Sequence, residues 1–384
     1  MDGQTITSTL DLALFTGAPQ HERFSRLADL LPVRKMAPSS APMPFPHGEQ
    51  AQLPQTYDMD GSARSVHSFL IDTDTAALIV LKNGAVRSEY YALTGGRDTH
   101  WISFSVAKSF VSTLVGIALG EGAIGSVDEP ISDYIDVTPG SAYDGVAIRH
   151  VLQMSSGARW NEDYADPNSD IFRLGAVMGG ASTLDAFVAD MVRENEPGTV
   201  CRYNSADTQA LGALVARATK CSLADYMQEK LAEPLGFTAP GYWLIDSAGT
   251  EMAFAGVNLI PLDFARLGEL FRNRGIWQGQ QVIPAEWVEA SLTASAAHLQ
   301  PGRVILNDHT LPIGYGYQWW LPDGDHGEFA AMGVYNQYVY VDPSRDTVVV
   351  KLSANRNYGT TSGESTNRDM ESIEFLRAIA VHCG

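Results

Sequence analysis

One long apolar stretch, residues 99–124 ("THWISFSVAKSFVSTLVGIALGEGAI"), constrains the fold because it carries a lysine near its start. Its apolar residues recur at helical spacing and also fill the neighbouring faces: Phe110, Val111, Leu114, Val115, Ile117, Ala118 and Leu119. A helix that is apolar on nearly all sides is buried. Gly120 and Gly122 are predicted to end it. The fold must therefore accommodate Lys108 at the head of a buried helix.

The overall composition is that of a globular protein rather than a nucleic-acid-binding one. With 384 residues, 45% of them hydrophobic, the chain can form a substantial core in one large domain or two closely packed subdomains. Its formal net charge of -19 argues against nucleic acid as a partner, since phosphates are held by clustered Lys and Arg. We attribute the excess acidic charge to solubility.

The amino terminus and the absence of a long apolar run bear on localisation. No window has enough consecutive apolar residues to span a bilayer, so no membrane partner is expected. The first residues, "MDGQTITSTLDLALF", carry Asp2 where a secretion signal needs positive charge. We therefore expect a cytoplasmic protein.

Neither the cysteines nor the histidines form a metal or disulfide pattern. Cys201, Cys221 and Cys383 are scattered and include no CxxC pair, so reduced thiols are expected. The nine histidines include no HxH or HxxxH pair, and the carboxylates lack EF-hand spacing. No metal and no cofactor are predicted.

The first third of the chain begins with an irregular segment and then a strand pair. Residues 36–56 are rich in Pro, Ser and Ala without periodicity, which predicts an irregular arm. Residues 69–92 predict two strands joined by Asn83-Gly84, a strong hairpin signal. An antiparallel sheet is therefore expected to begin here.

The remainder predicts helices followed by strands and a last helix. Residues 126–245 have mainly helical periodicity, and strand patterns return within 314–354 before a helix over 364–382. We predict an α+β fold, an antiparallel sheet flanked by helices with an inserted helical subdomain. Its expected divisions are an arm over 1–66, a sheet subdomain over 67–125 and 246–384, and a helical subdomain over 126–245.

Ser105 and Lys108 form an SxxK sequence that predicts nucleophilic chemistry. Residues three apart share a helix face, so the hydroxyl and the amine would lie within reach of each other. Burial lowers the pKa of a lysine, and a neutral amine can take the proton of a serine nucleophile. The alternative is an N-cap serine followed by a surface lysine. The apolar surroundings favour the catalytic interpretation.

Further segments, taken in order with this one, carry a family resemblance. These are "SFSVAKSF" (103–110), "IRHVLQMSSG" (148–157), "RYNSADTQALGALVARATK" from 202, "LIPLDFARLGELF" from 259 and "YGYQWWLP" (315–322). Together they resemble the serine beta-lactamase and penicillin-binding-protein family. Within it they are most similar to class C-like esterases and 6-aminohexanoate-dimer (nylon oligomer) hydrolases. The resemblance covers about residues 68–355 and implies a beta-lactamase/transpeptidase-like fold.

The family's second motif matches Tyr203-Asn204-Ser205. The resemblance implies that Tyr203 shuttles a proton between Ser105 and the leaving group. It also implies that Ser205 hydrogen-bonds Lys108 or the substrate. Without the family, the same residues would be interpreted as a turn with a half-buried aromatic.

The third motif, a Lys-Thr-Gly or His-x-Gly in the family, is matched by Ala331-Met332-Gly333. Alanine offers no charge for a substrate carboxylate, so penicillin is not expected as the natural ligand; Arg303 or His326 are the alternative sources of a cation. Gly333 would let the strand approach the substrate, and the N–H groups of Ser105 and Val334 would form an oxyanion hole.

One acidic loop, "WNEDYADP" at 160–167, resembles the tyrosine-bearing segment of the nylon oligomer hydrolases. The resemblance implies that Tyr164 contacts the leaving group. Taken alone, most acidic, aromatic loops are solvated surface.

These residues together predict a serine hydrolase that cleaves an amide or ester of a small molecule through an acyl-enzyme on Ser105. Ser105, Lys108 and Tyr203 would be catalytic, while Tyr164, Ser205 and Gly333 would bind substrate. The alternatives are a beta-lactamase or D-Ala-D-Ala carboxypeptidase and a non-catalytic ligand-binding relative. The sequence leaves the oligomeric state open.

Overall fold

The computed structural model describes residues 9–384. The strands of this part of the chain are β1 Val33–Met36, β2 Thr56–Met59, β3 Ser62–Ser65, β4 Thr75–Lys82, β5 Ala85–Tyr91, β6 Trp101–Ile102, β7 Gly241–Leu244, β8 Val257–Leu259, β9 Ile276–Trp277, β10 Gln280–Gln281, β11 Val304–Leu306, β12 His309–Leu311, β13 Gly314–Tyr315, β14 Trp320–Leu321, β15 Phe329–Gly333, β16 Gln337–Asp342 and β17 Thr347–Ser353.

The α-helices lie before, between and after these strands. They are α1 His21–Phe24, α2 Leu27–Leu30, α3 Val66–Asp72, α4 Ala107–Gly120, α5 Ile148–Leu152, α6 Asp170–Ala176, α7 Leu184–Ala189, α8 Ser205–Thr219, α9 Leu223–Met227, α10 Pro261–Arg272, α11 Ala285–Ser291, α12 Glu364–Asn367 and α13 Asp369–Cys383. Short π-helical turns, Val177–Ala181 and Gln228–Ala232, extend α6 and α9.

A seven-stranded antiparallel sheet in the order β13-β14-β15-β16-β17-β4-β5 is the main layer of the fold. Helices α10 and α13 both pack on its central strands, from opposite faces. Val348 and Val350 of β17 belong to the hydrophobic cluster that contains α10, whereas Val349 belongs to the cluster that contains α13. Because both faces are covered, every residue of β17 is buried, and its middle is a run of three valines, Val348–Val350, rather than an alternating pattern.

The predicted hairpin at Asn83-Gly84 is confirmed. β4 and β5 pair antiparallel on either side of it, and both turn residues have positive φ, 50° and 70°. This is the backbone of a type I′ turn, whose twist matches that of the flanking strands.

Helix α4 is buried as the apolar stretch predicts. Every residue from Ala107 to Ala118 is buried, and the helix ends at Gly120, followed by Gly122 at φ 77°. Neighbours include α8 and α10, with Phe110 against Phe264. The head of α4 therefore lies where the sheet and the helical part of the chain meet.

The structure differs from the sequence-based boundaries in three places. The described part of the amino-terminal arm is not wholly irregular, since β1 pairs with β7 at the edge of a four-stranded sheet β1-β7-β8-β6. Residues 69–72 end helix α3 rather than begin a strand, because the Ser65 side chain caps the helix at the N–H of Ser68. The last helix is divided at Arg368, where φ is 55°. Residues 1–8 of the arm lie outside the described residues.

The structure also bears on the state of the cysteines and on membrane-spanning helices. Cys201, Cys221 and Cys383 are free thiols. Within the described residues, no helix is long and apolar enough to cross a membrane.

Close packing around α4 generates a stability prediction. A Cβ atom added at Gly116 would overlap the buried ring of Trp287. We expect Gly116→Val to lower the free energy of unfolding by about 2 kcal/mol or more, since overpacking forces a buried ring to move. Denaturant titration measures the loss. Gly363→Val is the matched control, because the nearest atoms to a Cβ there lie 3.8 and 3.9 Å away. Equal losses in the two variants would contradict the packing argument.

Candidate active site

The local backbone fixes Ser105 at the entrance to α4. Strand β6 pairs with β8, and the N–H of Ser103 then donates to the carbonyl of Val257 at 2.8 Å. The next residue, Phe104, has φ 43°, a left-handed conformation that is costly for a bulky side chain. Phe104 is the first residue of a 3₁₀ turn, Phe104–Val106, that leads directly into α4. Strain therefore lies immediately before the predicted nucleophile.

Lys108 is fully buried and directed at Ser105. Its Nζ lies 2.9 Å from Ser105 Oγ, 3.0 Å from Ser205 Oγ and 3.0 Å from the carbonyl oxygen of Phe254. The side chain is 1% exposed, which excludes the alternative of a surface lysine after an N-cap serine. Burial lowers the pKa of Lys108 to about 8, although the nearby Glu162 carboxylate acts to raise it. About a tenth of the Lys108 amine is therefore neutral at pH 7.

Tyr203 lies beside the serine–lysine pair and is held by aromatic contacts. Its hydroxyl is hydrogen-bonded to the Ser105 side chain, and Lys108 Nζ lies 5.0 Å from the centre of its ring. The ring stacks on Trp320 at 5.1 Å. Burial raises the pKa of Tyr203 well above its ordinary value, so the phenol stays protonated. Between the two groups next to Ser105, Lys108 is the better base.

Glu162 completes the site, and the sequence analysis did not single it out. Ser205 donates to it twice, from Oγ at 2.6 Å and from the backbone N–H at 3.1 Å. Tyr164 donates its hydroxyl at 2.7 Å, and the Trp160 indole also donates to it. Glu162 is 1% exposed. Its position two residues before Tyr164 was the available signal, but an acidic loop gives no sequence sign that one carboxylate is buried.

Helix α8 begins with the Tyr203-Asn204-Ser205 motif, and its cap holds the motif in place. Asn204 accepts the N–H of Ala206 at 2.8 Å and donates to Asp207 at 3.1 Å. Asp207 is itself buried, and desolvation raises its pKa to about 7. This buried cap holds Ser205 at the start of α8, where its Oγ lies 3.0 Å from Lys108 Nζ.

Two backbone N–H groups next to Ser105, its own and that of Val334, could donate to an oxyanion that develops in the cleft. The N–H of Ser105 lies in the first helical turn, where no intrahelical acceptor is available. Gly333, at the end of β15, approaches so closely that a Cβ there would lie 3.0 Å from Ser105 N and 2.8 Å from Ser103 O. Val334 follows and lines the cleft with Ser105. Only glycine permits this approach.

The turn after Val334 keeps its shape with non-glycine residues. Tyr335 and Asn336 both have positive φ, 63° and 65°, and Gly333 pairs with Gln337 across the hairpin. Asn336 tolerates this conformation and donates to the carbonyl of Asn367 at 2.7 Å. The turn is therefore formed without a glycine at either of its two positions of positive φ.

In the third motif, the side chain that faces the cleft is Met332 and not Ala331, the residue that the sequence predicted. Ala331 is 1% exposed and packs in the same hydrophobic cluster as α4 and α10, not among the residues that line the cleft. Met332 lines the cleft instead, because successive residues of a strand point to opposite faces. Arg303 and His326, the alternative sources of a cation, do not line it either.

Two cavities meet at Ser105, and Tyr164 lines both. The first, the apolar cavity, has a volume of about 200 Å³ and is lined by Phe15, Phe104, Ile171, Phe172, Leu244 and Phe254 among others. The second, the tyrosine cavity, measures about 40 Å³ and is lined by Tyr203, Trp320, Met332 and Tyr358 among others. A bond to be cleaved at Ser105 would have one half in each cavity.

Comparison with known proteins identifies the family of this chain. Residues 68–374 match the model of the beta-lactamase family, which is most of the chain. The chain belongs to the beta-lactamase family. Like other members named in the comparisons, it is a hydrolase with the fold shared by beta-lactamases and penicillin-binding proteins.

Individual relatives of this beta-lactamase-family chain include proteins named as 6-aminohexanoate-dimer hydrolases and a penicillin-binding protein homologue. It is 29% identical over 338 residues to the 6-aminohexanoate-dimer hydrolase of Paenarthrobacter ureafaciens, covering 86% of this chain and 84% of that protein. A provisionally named 6-aminohexanoate-dimer hydrolase from Bacillus anthracis superposes with a TM-score of 0.79 at 22% identity, covering 93% of both chains. An octameric penicillin-binding protein homologue from Pyrococcus abyssi has a TM-score of 0.60 at 19% identity, over 80% of this chain and 76% of that one.

The Lys108 environment predicts a pH profile. If neutral Lys108 is the base, kcat/KM should fall as the pH drops below about 8 and the amine gains its proton. Glu162→Gln removes a negative charge that raises the Lys108 pKa, so the acid limb should move to lower pH. The lost hydrogen bonds should also reduce kcat/KM by about ten- to a hundredfold.

The measurement is kcat/KM for a neutral ester as a function of pH, corrected for spontaneous hydrolysis. Asp163→Asn is the matched control, since the Asp163 carboxylate accepts from Ser362 rather than from the Lys108 network. An acid limb unchanged in Glu162→Gln, or shifted equally in Asp163→Asn, would contradict the coupling.

Proposed function

We propose that the protein hydrolyses a neutral ester or amide of a small molecule through an acyl-enzyme on Ser105. The observation that carries the proposal is the 2.9 Å contact between Ser105 Oγ and a fully buried Lys108 amine at the junction of two cavities. A buried lysine is costly to fold around when it has no role. Here its depressed pKa suits it to take a proton from the serine.

Acylation follows from the geometry of the three side chains. The neutral Lys108 amine accepts the Ser105 proton while Oγ attacks the substrate carbonyl carbon. It keeps two N–H groups for Ser205 Oγ and the Phe254 carbonyl. The N–H groups of Ser105 and Val334 stabilise the oxyanion of the tetrahedral intermediate.

Tyr203 is suited to the departure of the leaving group. Its protonated hydroxyl donates a proton to the leaving oxygen or nitrogen, and the Lys108 ammonium, which holds the former Ser105 proton, then returns a proton to the Tyr203 oxygen. In the second half-reaction, water takes the place of the leaving group and attacks the acyl carbon. Its proton passes back through the same groups, and the acid is released.

The names of the relatives support an amide or ester as the class of substrate, without specifying the molecule. The Paenarthrobacter protein is named for hydrolysis of a 6-aminohexanoate dimer, a linear amide, and another fold neighbour is a hydrolase with promiscuous acyltransferase activity. Both activities are compatible with an acyl-enzyme.

The two alternatives from the sequence are less well supported. A beta-lactam or a D-Ala-D-Ala peptide presents a carboxylate, and no cation of the described residues lines either cavity. A non-catalytic binding protein has no need of two serines and a tyrosine gathered around one buried lysine amine.

The covalent intermediate provides a direct test. A fluorophosphonate should label Ser105, identified by peptide mass spectrometry, and Ser105→Ala should abolish both labelling and turnover of p-nitrophenyl butanoate. Ser109→Ala is the matched control, because this buried serine on the same helix donates to the carbonyl of Gln318 instead. Labelling of another residue, or an active Ser105→Ala enzyme, would exclude the proposed mechanism.

The role of Lys108 has its own prediction. Lys108→Arg and Lys108→Ala should both reduce kcat by about a thousandfold or more, since a guanidinium cannot give up its proton at neutral pH. Thermal unfolding checks that each variant is folded, with Lys108→Met as a third variant of similar length. Substantial activity in Lys108→Arg would show that the lysine acts only in the structure.

A further inference from the structure

We infer that the apolar cavity binds the acyl half of the substrate, that it selects an uncharged acyl group, and that Phe15 of the amino-terminal segment forms one of its walls. This inference rests on the proposed function, because it assigns the two halves of the bond cleaved at Ser105. The segment Leu12–Thr16 is called the strap below.

The position of Tyr203 assigns the two cavities. The group that protonates the leaving atom must lie on the side of the leaving group, and Tyr203 lines the tyrosine cavity but not the apolar one. The leaving group therefore lies on the tyrosine side. The acyl chain extends the other way, past Val334 and Phe254 into the apolar cavity.

The lining of the apolar cavity excludes charge. No side chain that lines it is charged, among the residues that the structure describes, and its polar groups are Thr16, Ser105, Tyr164 and Ser205. The hydroxyls of Tyr164 and Ser205 are already directed at Glu162. An ammonium or carboxylate on the acyl chain would lose its hydration without gaining a partner of opposite charge.

The strap lines one side of this cavity, and three hydrogen bonds anchor its backbone. Arg23 donates to the carbonyl of Leu12 at 2.6 Å, and Gln20 donates to that of Ala13 at 2.9 Å. The N–H of Phe15 donates to the Tyr335 hydroxyl at 2.7 Å. The first two bonds come from α1 and the residue before it, and α1 also carries Phe24, which lines the cavity; the third joins the strap to the turn after Val334.

Phe15 joins the strap to the loops of the active site. Its ring lies 4.5 Å from that of Tyr164 and stacks 4.9 Å from that of Tyr335, with Phe172 edge-on at 5.7 Å. Ala13 and Phe15 both have positive φ, 50° and 60°, so the strap holds a strained backbone in place against the cavity.

The volume of the cavity indicates the size of the acyl group. An apolar cavity of about 150 Å³ in another protein holds benzene. The cavity here, about 200 Å³, is suited to a somewhat larger group, such as an unbranched acyl chain of about six carbons or a phenylacetyl group.

The charge selection is tested with a matched pair of esters that share one leaving group. Ethyl hexanoate should be hydrolysed with a kcat/KM about a hundredfold or more above that of ethyl 6-aminohexanoate, whose acyl chain ends in an ammonium at neutral pH. Released acid is measured by chromatography. Equal rates for the two esters would overturn the assignment of an uncharged acyl group.

The strap is tested by the ratio of kcat/KM for p-nitrophenyl decanoate to that for p-nitrophenyl hexanoate. Phe15→Ala should raise this ratio about tenfold, because removing the wall admits the longer chain. A ratio cancels any general loss of activity that follows from disturbing Tyr164. Phe45→Ala is the control: it removes a buried ring that packs on Trp277 and Arg266, away from both cavities, and should leave the ratio unchanged.

An unchanged ratio in Phe15→Ala would show that Phe15 is not the wall. Failure of the proposed function gives a different result, since the wild-type protein would then neither be labelled by fluorophosphonate nor hydrolyse any of these esters.

Discussion

Desolvation of one amine determines how this site is organised. The Nζ of Lys108 meets oxygens from three separate parts of the chain: Ser105 before α4, Ser205 at the start of α8, and the carbonyl of Phe254 between β7 and β8. Burial favours the neutral amine, while Glu162, which Lys108 reaches through Ser205, favours the charged one. The lysine is therefore balanced between two protonation states, as a proton carrier must be, and neither state leaves a buried polar group without a partner.

The backbone around this amine is arranged by conformations that most residues avoid. Phe104 before the nucleophile and Tyr335 in the hairpin after Val334 both have positive φ, and their rings lie 5.2 Å apart. Phe24 packs edge-on against both rings, at 5.0 and 4.9 Å. The same aromatic packing thus supports both sides of the oxyanion site, which explains how the turn tolerates tyrosine and asparagine where glycine would be easier.

Sequence reasoning succeeded where a local pattern had only one physical solution. The buried α4, the hairpin at Asn83-Gly84 and the reach between Ser105 and Lys108 all depend on spacing within a few residues. It failed where the outcome depended on distant contacts. Nothing near Glu162 in the sequence shows that Ser205 will hydrogen-bond it. On β15, the side chain that faces the cleft is Met332 rather than Ala331, because a shift of one position along a strand changes the face. The strap was missed because it has no periodicity and its partners, such as Tyr335, are hundreds of residues away.

The strong negative charge of the chain and the chemistry of its cleft are separate properties. A net charge of -19 acts over the surface, where salt screens it within about 10 Å. Inside the cleft the apolar cavity has no charged lining among the described residues, and Asp369 is the one acidic side chain lining the tyrosine cavity. That carboxylate accepts the Tyr338 and Tyr358 hydroxyls at 3.0 and 2.9 Å, while burial and the Glu364 charge raise its pKa to about 7. It is therefore occupied by the protein and partly protonated near neutral pH. On the proposed function, substrate selection in the cleft depends on the cost of removing water from the substrate, which is lowest for a neutral molecule.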